Sequence, residues 1–243
     1  VFCHKDDIKV AQEPYMPIQV GKTLSNKDLG FAGDNTGDNI SSKNPFFCEL
    51  TGMYWAWKNL KNVDVIGLCH YRRYFDFHKQ CRAGFPVTEF LSVDFENLNL
   101  DLPSSVMTDL FSDSLGGVIL PKPISEMPSY VHLCCCHNSD DIRALTKAIH
   151  KLGDENDMAA YINVMCRSQV SIANMFIMRW QDFDRYCSWL FPILFEVEKN
   201  TNVENYNSYQ KRLYGFLSER LLNVFVEKEK MKVSYYPVIS VSD

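Results

Sequence analysis

"DVIGLCHYRRYF", residues 64–75, decides the architecture. Val65 to Cys69 is an apolar run with one glycine, of the length and character of a strand buried on both faces. It stops abruptly at His70, Tyr71, Arg72 and Arg73. A core strand that delivers a histidine, aromatic rings and two guanidinium groups at its carboxyl end resembles the way open α/β sheets build ligand sites. Guanidinium is planar, permanently charged and rich in donors, so Arg72 and Arg73 are candidates to hold a diphosphate, with His70 and Tyr71 adding hydrogen bonds. The competing reading of the same residues is a solvated strand end whose arginines form surface ion pairs.

Upstream, "FFCELTGMYWAWKNLKN" (46–62) has no internal proline and spaces Leu50, Tyr54 and Trp57 as a helix does. Tyr54 and Trp57 are expected in the core, whereas Trp55 and Lys58 are expected to border a ligand. Before this helix, "GFAGDNTGDNISSKNP" (30–45) is rich in Gly, Asn, Asp and Ser and predicts a polar loop. Its hydroxyls, amides and carboxylates suit recognition of sugar or ribose hydroxyls. Residues 1–4 and "MPIQVG" (16–21) predict strand ends.

Downstream, residues 76–115 mix weak helical signals with proline and glycine and predict an irregular insertion. "GGVILPKP" (116–123) and "ANMFIMRW" (173–180) read as short buried strands. Helices are predicted over 139–152, capped by Ser139 or Asp140, over 155–166, over 181–200 with Pro192 inside, and over 208–230. "KVSYYPVISV" (232–241) closes as a strand. The alternation predicts a mixed α/β domain.

The composition is ordinarily globular, with 46% hydrophobic and 23% charged residues, and the net charge of −5 excludes a chain-wide basic field of the kind that recruits nucleic acid. The nine cysteines contain no CxxC pair, so free thiols in a reducing compartment are expected, and "CCCHNSDD" (134–141) matches no zinc pattern. No run of about eighteen apolar residues is present. A soluble, cytoplasmic protein is expected, with peripheral association at the inner face of a membrane left open as an alternative.

"PIQVGKTLSNKDLG", "DNTGDNISSKNPFFCELTGMYWAWKNL", "IGLCHYRRYF", "NMFIM" and "GFLSERLLNVF", in this order over nearly the whole chain, resemble a bacterial family long labelled a domain of unknown function. That family is associated with capsular and exopolysaccharide synthesis and includes galactofuranosyltransferases. The resemblance implies an α/β, glycosyltransferase A-like (Rossmann-like) nucleotide-sugar-binding domain with a mixed central sheet, a single domain over residues 1–243 with the insertion around 76–115. It implies transfer of galactofuranose from UDP-galactofuranose to a lipid-linked or oligosaccharide acceptor, in capsular, exopolysaccharide or O-antigen synthesis, with inversion. The alternatives are a UDP-hexopyranose donor (galactose or glucose), or a noncatalytic carbohydrate- or nucleotide-binding protein of the same fold.

Many enzymes of this fold place an Asp-x-Asp motif after a central strand to hold a divalent cation. Here the corresponding strand ends in Cys69, His70, Tyr71 and Arg72, so Arg72 and Arg73 are expected to replace the metal, with His70 and Lys58 on the same diphosphate. No cofactor is expected. The alternative is a cation such as Mn²⁺, at Asp76 and His78 or at Asp182 to Asp184, the only literal Asp-x-Asp. Glu219, in "FLSERLL", is nominated as general base, with Asp141 in reserve. His4, Lys5, Asp38, Asn39, Ser41 and Tyr71 are nominated as nucleotide or sugar contacts.

Overall fold

The apolar run at 65–68 forms a strand antiparallel to Phe176–Arg179, with Leu68 opposite Phe176 and Val65 opposite Arg179. The computed structural model describes residues 1–4, 13–80, 87–91, 97–111, 116–125 and 127–242. In chain order its elements are β1 (Phe2–Cys3), β2 (Ile18–Gln19), β3 (Ala32–Gly33), α1 (Asn44–Phe47), α2 (Leu50–Asn59), β4 (Val65–Leu68), β5 (Arg73–Phe75), β6 (Val87–Leu91) and α3 (Ser104–Phe111). There follow β7 (Gly117–Pro121), β8 (Ile124–Ser125), α4 (Ser129–Cys136), α5 (Ser139–Leu152), α6 (Glu155–Cys166), β9 (Gln169–Val170), β10 (Phe176–Arg179), α7 (Trp180–Lys199), α8 (Leu213–Lys228), β11 (Lys232–Tyr236) and β12 (Val238–Ser242).

The central sheet runs β11-β7-β10-β4 and is mixed: β11 is parallel to β7, while β10 is antiparallel to both β7 and β4. A parallel trio, β1-β2-β3, is tied to the end of β4 by one ladder step, Phe2 against His70. Successive side chains of a strand point to opposite faces. Leu68, Val118, Leu120, Phe176 and Met178 accordingly enter one apolar cluster with the helices, whereas Cys69, Ile119 and Ile177 enter another with Val106 and Leu110 of α3 and Val238, Ile239 and Val241 of β12. Burial on both faces is why β7 and β10 are uniformly apolar rather than alternating, whereas β4, at the sheet edge, is buried at Leu68 and only partly covered at Val65 and Ile66.

Several local expectations are revised. Residues 30–45 are not merely a solvated loop. They contain β3 and, at Asp34, a fully buried carboxylate that accepts from the Gly21 and Lys22 amides at 2.8 and 3.1 Å and from the Ser41 and Thr51 hydroxyls at 2.5 and 2.6 Å. The helix expected after Pro45 is two helices, because Cys48 adopts φ 51° and ψ −131°, and Asn44 donates across the break to the Cys48 carbonyl at 2.8 Å. Trp55, expected to border a ligand, is buried, its indole donating to the Thr36 hydroxyl, while Tyr54 and Trp57 are half-buried and pack against the same core cluster as Leu50 and Met53.

The segment 76–115 carries β6 and α3, with β6 completing a β5-β12-β6 sheet through parallel pairing to β12. Helix α4, over the cysteine run, has no counterpart among the elements expected from sequence. The cap of α5 is Asn138, whose side chain accepts from the Asp140 amide. Pro192 sits inside a continuous α7, and Pro237 divides the last strand into β11 and β12. Among the described residues no helix is long and apolar enough to cross a membrane.

Asp34→Ala leaves four donors, three of them buried, without their shared acceptor. It is expected to cost about 3 kcal/mol, seen in calorimetry as a melting midpoint lowered by roughly 6–12 °C. A change of a degree or less would show that the carboxylate does not organise this region.

Candidate functional site

Strands β1 and β4 run parallel where Phe2 meets His70, so Cys3–His4 and Cys69–His70 leave the sheet at the same edge. Beyond that edge lies a cleft of about 730 Å³ lined by His4, His70, Tyr71, Arg72, Arg73 and Glu219, together with Asn44, Cys48, Glu49, Ala173, Ser208 and Arg212. A second cavity, of about 410 Å³, is apolar and lies along β4 between Met16, Ile18, Val65 and Phe176.

The chain turns sharply after β4. The Arg73 amide donates to the His70 carbonyl at 3.0 Å, and β5 begins at Arg73, pairing with Ser240 of β12. This turn puts Arg72 and Arg73 on the cleft wall instead of extending them past the sheet. The Arg72 guanidinium lies 5.1 Å from the Tyr71 ring centroid, and Tyr71 meets His4 edge-on at 5.1 Å.

Opposite, the cleft is organised by Ala173 and Asn174, consecutive non-glycine residues at φ 74° and 50°. The Ala173 amide donates to Glu219 Oε1 at 3.0 Å, and its carbonyl accepts from His70 Nε2 at 2.6 Å. A carbonyl only accepts, so the His70 proton resides on Nε2. Asn174 donates from Nδ2 to Glu49 Oε1 at 2.7 Å and to the Gly215 carbonyl at 3.0 Å, and accepts from the Ser218 hydroxyl at 2.9 Å. Asn223 closes the clamp with two bonds to the Ser171 backbone. Helix α8 therefore holds a left-handed turn that in turn aims Glu219, Glu49 and His70.

Burial is the main cause raising the Glu219 carboxyl above its ordinary range, opposed by the adjacent Arg220 cation, raised further by Glu49 and opposed again by Arg73. Burial depresses the His70 imidazole, leaving it neutral near pH 7, while Glu49 partly offsets that. The Cys48 thiol is pushed up to about 12 by burial, so it is not a thiolate nucleophile; Arg212 Nε donates to it at 3.4 Å.

Of the residues nominated from sequence, the fold brings Glu219, His70, Arg72, Arg73, Tyr71 and His4 to this one cleft. Lys58, Asp38, Asn39 and Ser41 do not line it. The Lys58 ammonium rests 3.3 Å from the Trp57 ring centroid, Asp38 accepts from Tyr54 and Asn59 of α2, Asn39 closes its own turn onto Gly37, and Ser41 is buried on Asp34. Lys5 lies outside the described residues.

Asp182 is paired with Arg179 and Arg185, Asp184 accepts from the Trp57 indole, Asp76 caps the His78 and Gln80 amides, and the reserve candidate Asp141 accepts from Tyr206. Cys134, Cys135 and Cys136 are consecutive on α4, so their side chains diverge. Among the described residues no group of three or more His, Cys, Asp or Glu is placed to hold a metal.

Sequence reasoning missed Glu49, Asn174 and Arg212. Arg212 becomes telling only once the structure starts α8 at Leu213: a cation at the N-cap opposes the helix dipole, an arrangement that favours an anion nearby, whereas the helix expected from 208 buries that signal. Glu49 carried no signal beyond being a charge among apolar neighbours.

A family model described as "Domain of unknown function (DUF4422)" matches residues 1–230. No curated protein sequence matches. A solved structure described as the apo form of WbbM, a bifunctional glycosyltransferase, superposes with a TM-score of 0.81 at 29% identity, over 100% of this chain and 45% of that one. This chain thus spans under half the length of that protein. With the mixed sheet, the likeness establishes the glycosyltransferase A-like α/β fold.

Ala173→Gly is expected to leave the melting midpoint near that of the wild type, because relief of about 1 kcal/mol of left-handed strain offsets the ~0.5–1 kcal/mol entropic cost of glycine. Asn174→Ala removes partners of Glu49, Ser218 and Gly215 and is expected to lower the midpoint by several degrees. Equal losses in calorimetry would contradict this account of the turn.

Proposed function

This chain belongs to the DUF4422 family, and on that premise we propose that it is a glycosyltransferase that moves a sugar from a UDP-sugar to a glycan acceptor with inversion. The observation that carries the reading is that Glu219 shares one polar cleft with Arg72 and Arg73. In-line displacement needs a base on one side of the anomeric carbon and a cationic site for the leaving diphosphate on the other.

In this reading Glu219 takes the proton of the acceptor hydroxyl as its oxygen bonds to the anomeric carbon. The bond from that carbon to the diphosphate breaks, and the nucleoside diphosphate departs against Arg72 and Arg73, whose fixed charges substitute for a cation. His70 donates to the Ala173 carbonyl and stiffens the wall between base and leaving group. His4 and Tyr71 border the nucleotide side. The likeness to WbbM, a bifunctional glycosyltransferase, supports transfer of a sugar. UDP-galactofuranose as donor, a lipid-linked acceptor in capsular, exopolysaccharide or O-antigen synthesis, and work at the inner membrane face rest on the sequence resemblance described above.

Product formation from a panel of UDP-sugars with a lipid-linked acceptor mimic tests the reading. Transfer from UDP-galactofuranose that persists in EDTA is expected. Turnover only with added manganese would overturn the arginine-for-metal proposal, and binding of every donor without transfer would favour a noncatalytic protein.

Glu219→Gln is expected to lower turnover by on the order of 10²–10⁴ while UDP still binds in calorimetry. Because burial raises the carboxyl, wild-type turnover rises with pH through a value above the ordinary carboxylate range. An acid limb at or below that range would contradict Glu219 as the base.

A further inference from the structure

Beside Glu219 in α8 stands Arg220, only 2% exposed. Its position in "FLSERLLNVF" is a core position where leucine would pack without desolvation cost, yet it carries a permanent charge. Nη1 donates to Glu219 Oε2 at 2.6 Å and reaches the Phe216 carbonyl only at 3.5 Å; Nη2 bonds to His132 Nδ1 of α4 at 2.6 Å. Nε is buried without a hydrogen-bond partner. A buried guanidinium with an orphaned N–H is a poor device for stability, so its retention calls for another explanation.

The second partner supplies one. Guanidinium only donates, so His132 Nδ1 accepts, which makes the imidazole neutral with its proton on Nε2. A carboxylate in that place would cancel the Arg220 charge, whereas a neutral acceptor orients the guanidinium and leaves its charge directed at Glu219. With the Ala173 amide on Oε1 and Arg220 on Oε2, both carboxylate oxygens are fixed, and each keeps a lone pair for another donor.

We propose that Arg220 and His132 are positioning residues for Glu219: His132 orients Arg220, and Arg220 holds the carboxylate ionised and aimed across the cleft. This inference rests on the reading of Glu219 as base. The other charged or titratable groups acting on Glu219 are Glu49 at the start of α2, Arg73 of β5, Arg212 at the start of α8, the Cys48 thiol between α1 and α2 and the Tyr209 phenol ahead of α8, while His70 lines the same cleft; among the described residues none of them holds it by a hydrogen bond.

The test is steady-state transfer from UDP-galactofuranose as a function of pH, with calorimetric binding of UDP and a melting curve for each variant. Arg220→Met is expected to lower kcat by on the order of 10- to 100-fold, to leave the KM for donor and the affinity for UDP within about twofold of the wild type, and to move the acid limb of kcat to higher pH, since the lost cation no longer favours the ionised carboxylate. Arg220→Lys restores part of kcat and returns the limb towards the wild type. His132→Leu lowers kcat in the same sense, and His132→Gln, whose amide oxygen still accepts, recovers it. The His132 variants alter a half-buried side chain and provide the readout if Arg220→Met fails to fold.

Unchanged kcat and acid limb in folded Arg220→Met overturn the proposal. So do losses in which Arg220→Lys and His132→Gln do no better than their apolar counterparts. Glu219→Gln, run alongside, separates the two failures: full activity in that variant removes the base assignment itself, whereas inactivity in it with normal Arg220 and His132 variants removes this proposal alone.

Discussion

The cleft depends on the backbone of one residue, Ala173. Ala173 gives its N–H to Glu219 and its C=O to His70, and its neighbour Asn174 gives an amide to Glu49. Both residues are held in the left-handed region, each at a cost of about 1 kcal/mol that the surrounding clamp must offset. Ser218, Gly215 and Asn223 of α8 supply that clamp. A helix, a turn and two strand ends are thereby fixed relative to one another, so three functional groups remote in sequence keep their mutual geometry without contacting each other.

Electrostatics on the cleft wall follow from that placement. Three guanidinium groups, of Arg72, Arg73 and Arg212, and two carboxylates, of Glu49 and Glu219, share the lining. Burial and Glu49 push Glu219 towards its protonated form, and Arg220 and Arg73 push it back. Such opposed influences suit a carboxyl that exchanges a proton rather than one that merely closes an ion pair.

Much of this was legible in the sequence, for identifiable reasons. The strands β7 and β10 announced themselves because burial on both faces demands unbroken apolar runs, β4 by its apolar run and abrupt polar end, and α5 and α6 because their period and boundaries agree. The polar end of β4 and the acid of "FLSERLL" were also legible as site candidates. What the chain hid was tertiary. Asp34 resembles any loop aspartate until four donors converge on it, and the break at Cys48 arises from a backbone angle with no glycine to mark it. Lys58 and Asp38 carry suitable chemistry, but the face of α2 that bears Trp57 packs on α7 and takes them away from the cleft. Glu49 and Asn174 acquire meaning only from each other.

The claim at the centre of this account is that the arginine end of the cleft receives a nucleoside diphosphate while Glu219 faces the sugar. A crystal structure of the chain soaked with UDP and EDTA tests it most directly. The account predicts the diphosphate against Arg72 and Arg73, with its terminal phosphate on the side of the cleft that Glu219 faces. UDP seated elsewhere, or ordered only when manganese replaces EDTA and bridges it to Asp76 or Asp182, would contradict it.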